Sequence, residues 1–347
     1  MSSLARVVLP HAGDQLPPLG VHQLVTRWEF TPWPDLALAI TLVVYLWGMW
    51  RVARAHPTRP WPWWRTLTFL AGLAVIVVAV DSSIGVYDDE LFSDHMVQHL
   101  LLLAVAPPLL LVGRPVLLLM HASRNPLHTW TKRVLRHPVT TAVTFPLVGM
   151  GLFVAVVVGT HLSSFMSLTL SHPLVHQGEH LLYLVTGYLF YLTVIGGEPI
   201  RWRLTFPLQF GLIAFAMAVD AFTGLVLMQT NYEMFPEYAA LHRTWGPSLL
   251  ADLHLGGAIM WVGGDAIMTV VVLVLVLQVV RGRRRMDNPR WLEQVRVGTL
   301  LGGDAGVGRR VRDVDEDDAA FEAYNRHLAD LDARQHKKAT GTDPNWE

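Results

Sequence analysis

Cysteine is absent from the 347 residues. That excludes disulfides, thiolate catalysis, cysteine-rich zinc sites and cysteine-held iron–sulfur clusters. Any metal must be held by His, Met, Asp, Glu or backbone groups. Charge is scarce too: 16% of residues are Asp, Glu, Lys or Arg, and the formal net charge is −1. No broad positive field marks nucleic acid as a partner. Walker, nucleophile-elbow and HExxH motifs are missing; Gln177-Gly178-Glu179 inside His176–His180 has the wrong order for the last. None of these motifs marks an active site. Residues 1–34 are proline-rich and polar, without the apolar stretch of a cleavable signal peptide.

Apolar residues, by contrast, make up 52% of the chain. Long uncharged runs of this kind predict an all-α, polytopic membrane protein. Seven runs reach the roughly twenty residues a bilayer core requires: 35–53, 63–81, 91–112, 138–160, 174–195, 205–228 and 249–280. The organisation expected is a tail over 1–34, a seven-helix transmembrane domain over 35–280, and a charged, partly disordered tail over 281–347. Pro107-Pro108 predicts a kink or break in the third span, because proline removes a donor and crowds the preceding turn. Residues 126–137 read as a short interfacial helix. Trp28, Trp33, Trp61, Trp63 and Trp64 flank the first two spans as interfacial belt residues.

Basic residues orient the bundle. Fifteen Lys and Arg fall in the 1–2, 3–4 and 5–6 connections and at Arg281–Arg285, against Arg6, Arg27 and Arg243 on the other side. The positive-inside rule then puts the N-terminus outside and the C-terminus in the cytoplasm. Histidine follows the opposite distribution. Ten of the sixteen fall on the outer side or in the outer half of a span. His95 and His99 open the third span, His176 and His180 the fifth, and each pair is followed by Leu-Leu. A four-residue step puts both imidazoles of a pair on one helix face. Imidazole suits copper, zinc, iron and nickel, and is costly in a membrane without a role.

The expected metal ligands are His95, His99, His176 and His180, with His254 joining from the seventh span. Asp94, Asp252 and Glu179 are expected to support the histidines or to meet the ion as it arrives. Met96, Met166, Met228 and Met234 are outer-side thioethers that read first as packing; Met96 lies about 100° round the helix from His95. Asp220 and Asp265 lie within the sixth and seventh spans. They read equally as interhelical hydrogen-bond partners and as a proton or cation path.

Three stretches carry a family resemblance. The first runs from Asp94-His95-Met96-Val97-Gln98-His99-Leu100-Leu101 through Ala106-Pro107-Pro108 to Gly113-Arg114-Pro115. The second is His172-Pro173 to His176 and Glu179-His180-Leu181-Leu182-Tyr183. The third is Asp252-Leu253-His254-Leu255-Gly256-Gly257 with Met260-Trp261. In this order they resemble the caa3-type cytochrome c oxidase assembly factor family, the CtaG family in its Bacillus-type sense, over roughly residues 35–280. The resemblance implies a multi-pass protein of the bacterial plasma membrane, an assembly factor and not an enzyme, that helps mature haem–copper oxidase. Copper is the implied cargo, oxidase subunits are the implied partners, and other copper chaperones are further ones. Two other readings stay open on the residues. One is a b-haem oxidoreductase with bis-His ligation between spans 3 and 5; the other is a copper or cation transporter routed past Asp220 and Asp265.

Overall fold

The computed structural model describes residues 16–55, 57, 60–123 and 126–286. The expected tails before residue 16 and after residue 286 lie outside the described residues. Those described form helices and connections, with no strand among them. They divide into a unit ending at Leu273 and a second beginning at Val274. All side chains considered below belong to the first.

Six helical runs are long and apolar enough to cross a membrane: α1 Pro32–Ala55, α2 Trp63–Tyr87, α3 Phe92–Ala122, α5 Pro173–Ile195, α6 Phe206–Gln229 and α7 Leu249–Val280. Between α3 and α5, α4 (Pro146–His161) is followed by Phe165–Ser171 at a bend of 70°, and counting that pair as one span makes seven. The expected fourth span thus starts eight residues late. Pro138–Val143 forms a separate short helix, which ends where the Thr144 hydroxyl turns back on Thr140 O and Pro146 begins a new helix. Proline favours such a start, since a first-turn N–H has no helical partner. The segment 126–137, expected as a short interfacial helix, is helical over Leu127–Arg136.

The Pro107-Pro108 break takes a different form from the one expected. The helix continues through the prolines, and the disturbance moves upstream into a π-helical turn over Leu101–Val105. There Ala106 N donates to Leu101 O, one residue farther back than in an α-helix. The sharp change comes later, at Arg114, whose φ of 50° restarts the helix at Pro115. A second π-turn interrupts α7 at Ile259–Gly263.

Packing brings the histidine-bearing helices together. The π-turn and prolines of α3 pack on α5, and the N-terminal turns of α3 and α7 pack on each other. Glycine makes the first contact possible: a Cβ on Gly187 would lie 2.1 Å from Leu103 O. Gly256 does the same for α7, where a Cβ would meet the Phe92 ring at 2.4 Å. Small residues are the usual means of close helix approach in lipid, where apolar burial alone gives no advantage. Gln98 adds a buried tie, its side-chain amide donating to Ala79 O at 3.0 Å. Large apolar side chains cover the outside: Trp33, Trp47, Trp50, Trp63 and Trp64 among them are exposed, as a lipid-facing surface requires.

Candidate metal centre

The first turns of α3 bury one face, carrying His95, Met96, Gln98 and His99. Asp252 fixes where this helix begins. Its carboxylate accepts from Phe92 N, Ser93 N and the Ser93 hydroxyl at 2.9, 3.3 and 2.6 Å, capping the first turn. That anchors the rotation of the whole first turn, and with it the direction of His95 and His99. Asp252 therefore supports the site through the backbone; it does not touch a histidine ring as the sequence suggested. Asp94 also stays outside the ligand groups.

α5 carries the other set. His176, Glu179 and His180 follow at i, i+3 and i+4 and share one face. Glu179 is 1% exposed and reaches across to α3. Its Oε2 lies 3.7 Å from His95 Nε2, and its Oε1 lies 3.6 Å from His99 Nε2. The second pair finds its carboxylate in the turn between α2 and α3. Asp88 Oδ2 lies 3.4 Å from His176 Nε2 and 3.8 Å from His180 Nε2. His176 Nδ1 faces Asp89 Oδ1 at 3.3 Å, which holds the ring with Nε2 turned toward Asp88. Two groups result, His95–His99–Glu179 and Asp88–His176–His180, and within each the potential ligand atoms lie within 4.8 Å of one another. The groups adjoin: the His95 and His176 rings stack at 5.4 Å between centroids.

These atoms lack ordinary partners. Both ring nitrogens of His95 and His99, Nε2 of His176 and His180, Oδ2 of Asp88 and both carboxylate oxygens of Glu179 are buried with no hydrogen bond. Separations of 3.4 to 3.8 Å are too long for hydrogen bonds to imidazole. Unpaired buried polar groups are rare and costly. Asp88 lies outside the spans, and burial pushes its carboxyl up to about 8 while the neighbouring His176 acts against that shift. A cation seated between these groups would relieve the strain on each of them.

Two further side chains border the site. His161, at the end of α4, accepts no ligand position in either group but stands beside His99, ring centroids 5.6 Å apart. Its Nδ1 donates to Val157 O at 2.7 Å, so the buried Nε2 is left as a free lone pair. Tyr183 stacks on His99 at 3.7 Å, and its hydroxyl bonds the Thr160 hydroxyl. Below them a cavity of about 20 Å³ is lined by Met96, His99, His161, Tyr183, Asp220 and Met260, among others. Asp220 thus approaches the cluster from α6.

His254 is the expected ligand that the fold does not bring in. Its Nε2 bonds Thr230 O at 2.8 Å, tying α7 to the end of α6. Asp88 is the converse, a site residue absent from the sequence reading. Its only signal was an acidic pair, Asp88-Asp89, in the connection just before His95. Met166 packs on Thr169 in the Phe165–Ser171 helix.

The chain is 29% identical over 328 residues to an uncharacterized protein of Mycobacterium bovis, covering 92% of this chain and 47% of that one. A second uncharacterized protein, from Mycobacterium leprae, is 28% identical over 283 residues, or 79% and 43% of the two chains. The chain thus spans about half the length of the curated relatives it matches. No solved structure matches it. The sequence model of the cytochrome c oxidase caa3 assembly factor family (Caa3_CtaG) matches residues 43–282. That stretch contains every residue of both ligand groups, and the chain belongs to this family of oxidase assembly factors.

Proposed function

We propose that this protein holds copper at the outer face of the bacterial plasma membrane and presents it to a cytochrome c oxidase subunit during cofactor insertion. The carrying observation is the buried set of imidazole and carboxylate atoms without partners at His95, His99, His176, His180, Glu179 and Asp88. The donor set is nitrogen and oxygen, which accepts copper and zinc alike; the oxidase connection of the family favours copper. In this reading the N-terminus is outside, the C-terminus is cytoplasmic, and other copper chaperones supply the ion. The basic inner connections support that orientation.

Space argues against haem. The His95 and His99 rings lie 4.1 Å apart, and the adjoining cavity of about 20 Å³ is room for one water, not for a porphyrin. The purified protein is expected to bind copper and to show no Soret band. Replacing His99 and His180 together by alanine is expected to abolish copper binding. Cells carrying only that variant are expected to lose oxidase activity while keeping the oxidase polypeptides. A Soret band on the wild type, or wild-type copper affinity in the double variant, refutes the reading.

A further inference from the structure

We infer that the outer cluster is built for two divalent first-row metal ions side by side. One sits at His95, His99 and Glu179; the other sits at Asp88, His176 and His180. The inference rests on the metal reading above and adds the number of ions, their partition and their class.

Geometry separates the two positions. In a tetrahedral site with bonds of about 2.0–2.1 Å, neighbouring ligand atoms stand about 3.4 Å apart. The nitrogen–oxygen separations of 3.6 and 3.7 Å in the first group, and of 3.4 and 3.8 Å in the second, approach that edge. They exceed a hydrogen bond in every case. A single shared ion would need nitrogens from both groups to converge. Instead the ligand atoms gather within 4.8 Å of one another separately in each group, three in one and three in the other.

The carboxylates are partitioned in the same way. Each histidine pair has one of its own, Glu179 at 1% exposure and Asp88 at 2%. Each position therefore has two imidazoles and one carboxylate, a three-ligand set of its own. Two imidazoles and a carboxylate, with no sulfur, favour ions such as Cu(II) or Zn(II) over Cu(I).

The test uses the full-length protein purified in detergent, loaded with Cu(II), desalted, and read by elemental analysis and electron paramagnetic resonance. Two copper ions per chain are expected, with mutually broadened spectra. Glu179→Gln and Asp88→Asn are each expected to lower the count to one and to restore a sharp mononuclear signal. One ion in the wild type, lost in both variants, overturns the two-ion arrangement but leaves the metal reading standing. No ion in the wild type overturns both. Two ions kept in both variants overturns the assignment of these ligands. Should a variant fail to fold, the wild-type count and its spectral broadening decide alone.

Discussion

Gly187 offers a way to break the site without touching a ligand. It lies two turns beyond His180 on α5, against the backbone of α3 one turn beyond His99. A Cβ there would stand 2.1 Å from Leu103 O, 2.9 Å from Leu103 C and 2.8 Å from Pro107 Cγ. Two of these three are backbone atoms, and the third belongs to a rigid ring, so no side chain can swing aside. Ordinary contact begins at 3.4 Å, so Gly187→Ala must part the two helices by about 1.3 Å at this level (3.4 minus 2.1). Overpacking of this kind costs about 1–3 kcal/mol. Metal sites tolerate about 0.2 Å in bond length. A shift several times larger between α3 and α5 pulls Glu179 from His95 and His99, and we expect at least a tenfold loss of copper affinity. Gly151→Ala is the control, because a Cβ there meets nothing within 4 Å. Both variants are measured by thermal unfolding in detergent and by copper titration. Wild-type midpoint and affinity in Gly187→Ala would refute the claim that this contact sets the spacing of the ligand-bearing helices.

Three other substitutions probe separate parts of the argument. Burial pushes Glu198 up from 4.5 to about 7, although Leu117 N and Val116 N donate to it. The folded protein then retains a proton that the unfolded chain releases. This stabilisation is complete below pH 4.5 and is lost as pH rises through about 7, a change on the order of 3 kcal/mol. Unfolding midpoints should therefore fall across that range, and Glu198→Gln should flatten the profile. Asp252→Ala removes the acceptor for Phe92 N, Ser93 N and the Ser93 hydroxyl, and should cost about 1–3 kcal/mol in chemical unfolding. His254→Gln should leave copper per chain unchanged, since its ring nitrogen is occupied by Thr230 O; a loss of metal would return His254 to the ligand set.

The spans were legible because lipid demands long uncharged runs, and few other folds produce them. The expected start at 63 for the second span matches, and the fifth and sixth are displaced by one residue. The fourth failed because Thr140, Thr141 and Thr144 look apolar enough to extend a hydrophobic run, yet the Thr144 hydroxyl turns onto the backbone and Pro146 restarts the helix. The double proline was recognised as a disturbance, but its form was not. Whether a helix breaks or inserts a π-turn depends on what packs against it, and here Gly187 leaves room for the prolines to stay in line.

The site itself was half legible, for a reason that lies in helix geometry. Spacing within a helix is local, so both His-x-x-x-His pairs could be recognised from the sequence, and each pair remains a unit in the fold. What completes each pair is not local. Glu179 lies one residue before His180 but serves the pair on α3, and Asp88 comes from a turn to serve the pair on α5. A carboxylate in a connection between spans ordinarily reads as a solvated charge. Asp88 escapes that reading only through the turn's tertiary contacts: Tyr87 donates to Pro17 O, and Tyr238 donates to Asp88 O. The sequence therefore suggested one cluster of five histidines, His254 included, whereas the fold exchanges carboxylates between elements and makes two groups of three. A histidine pair on one helix supplies only two protein ligands, so the third ligand in each group depends on the docking of α3 against α5 and the α2–α3 turn.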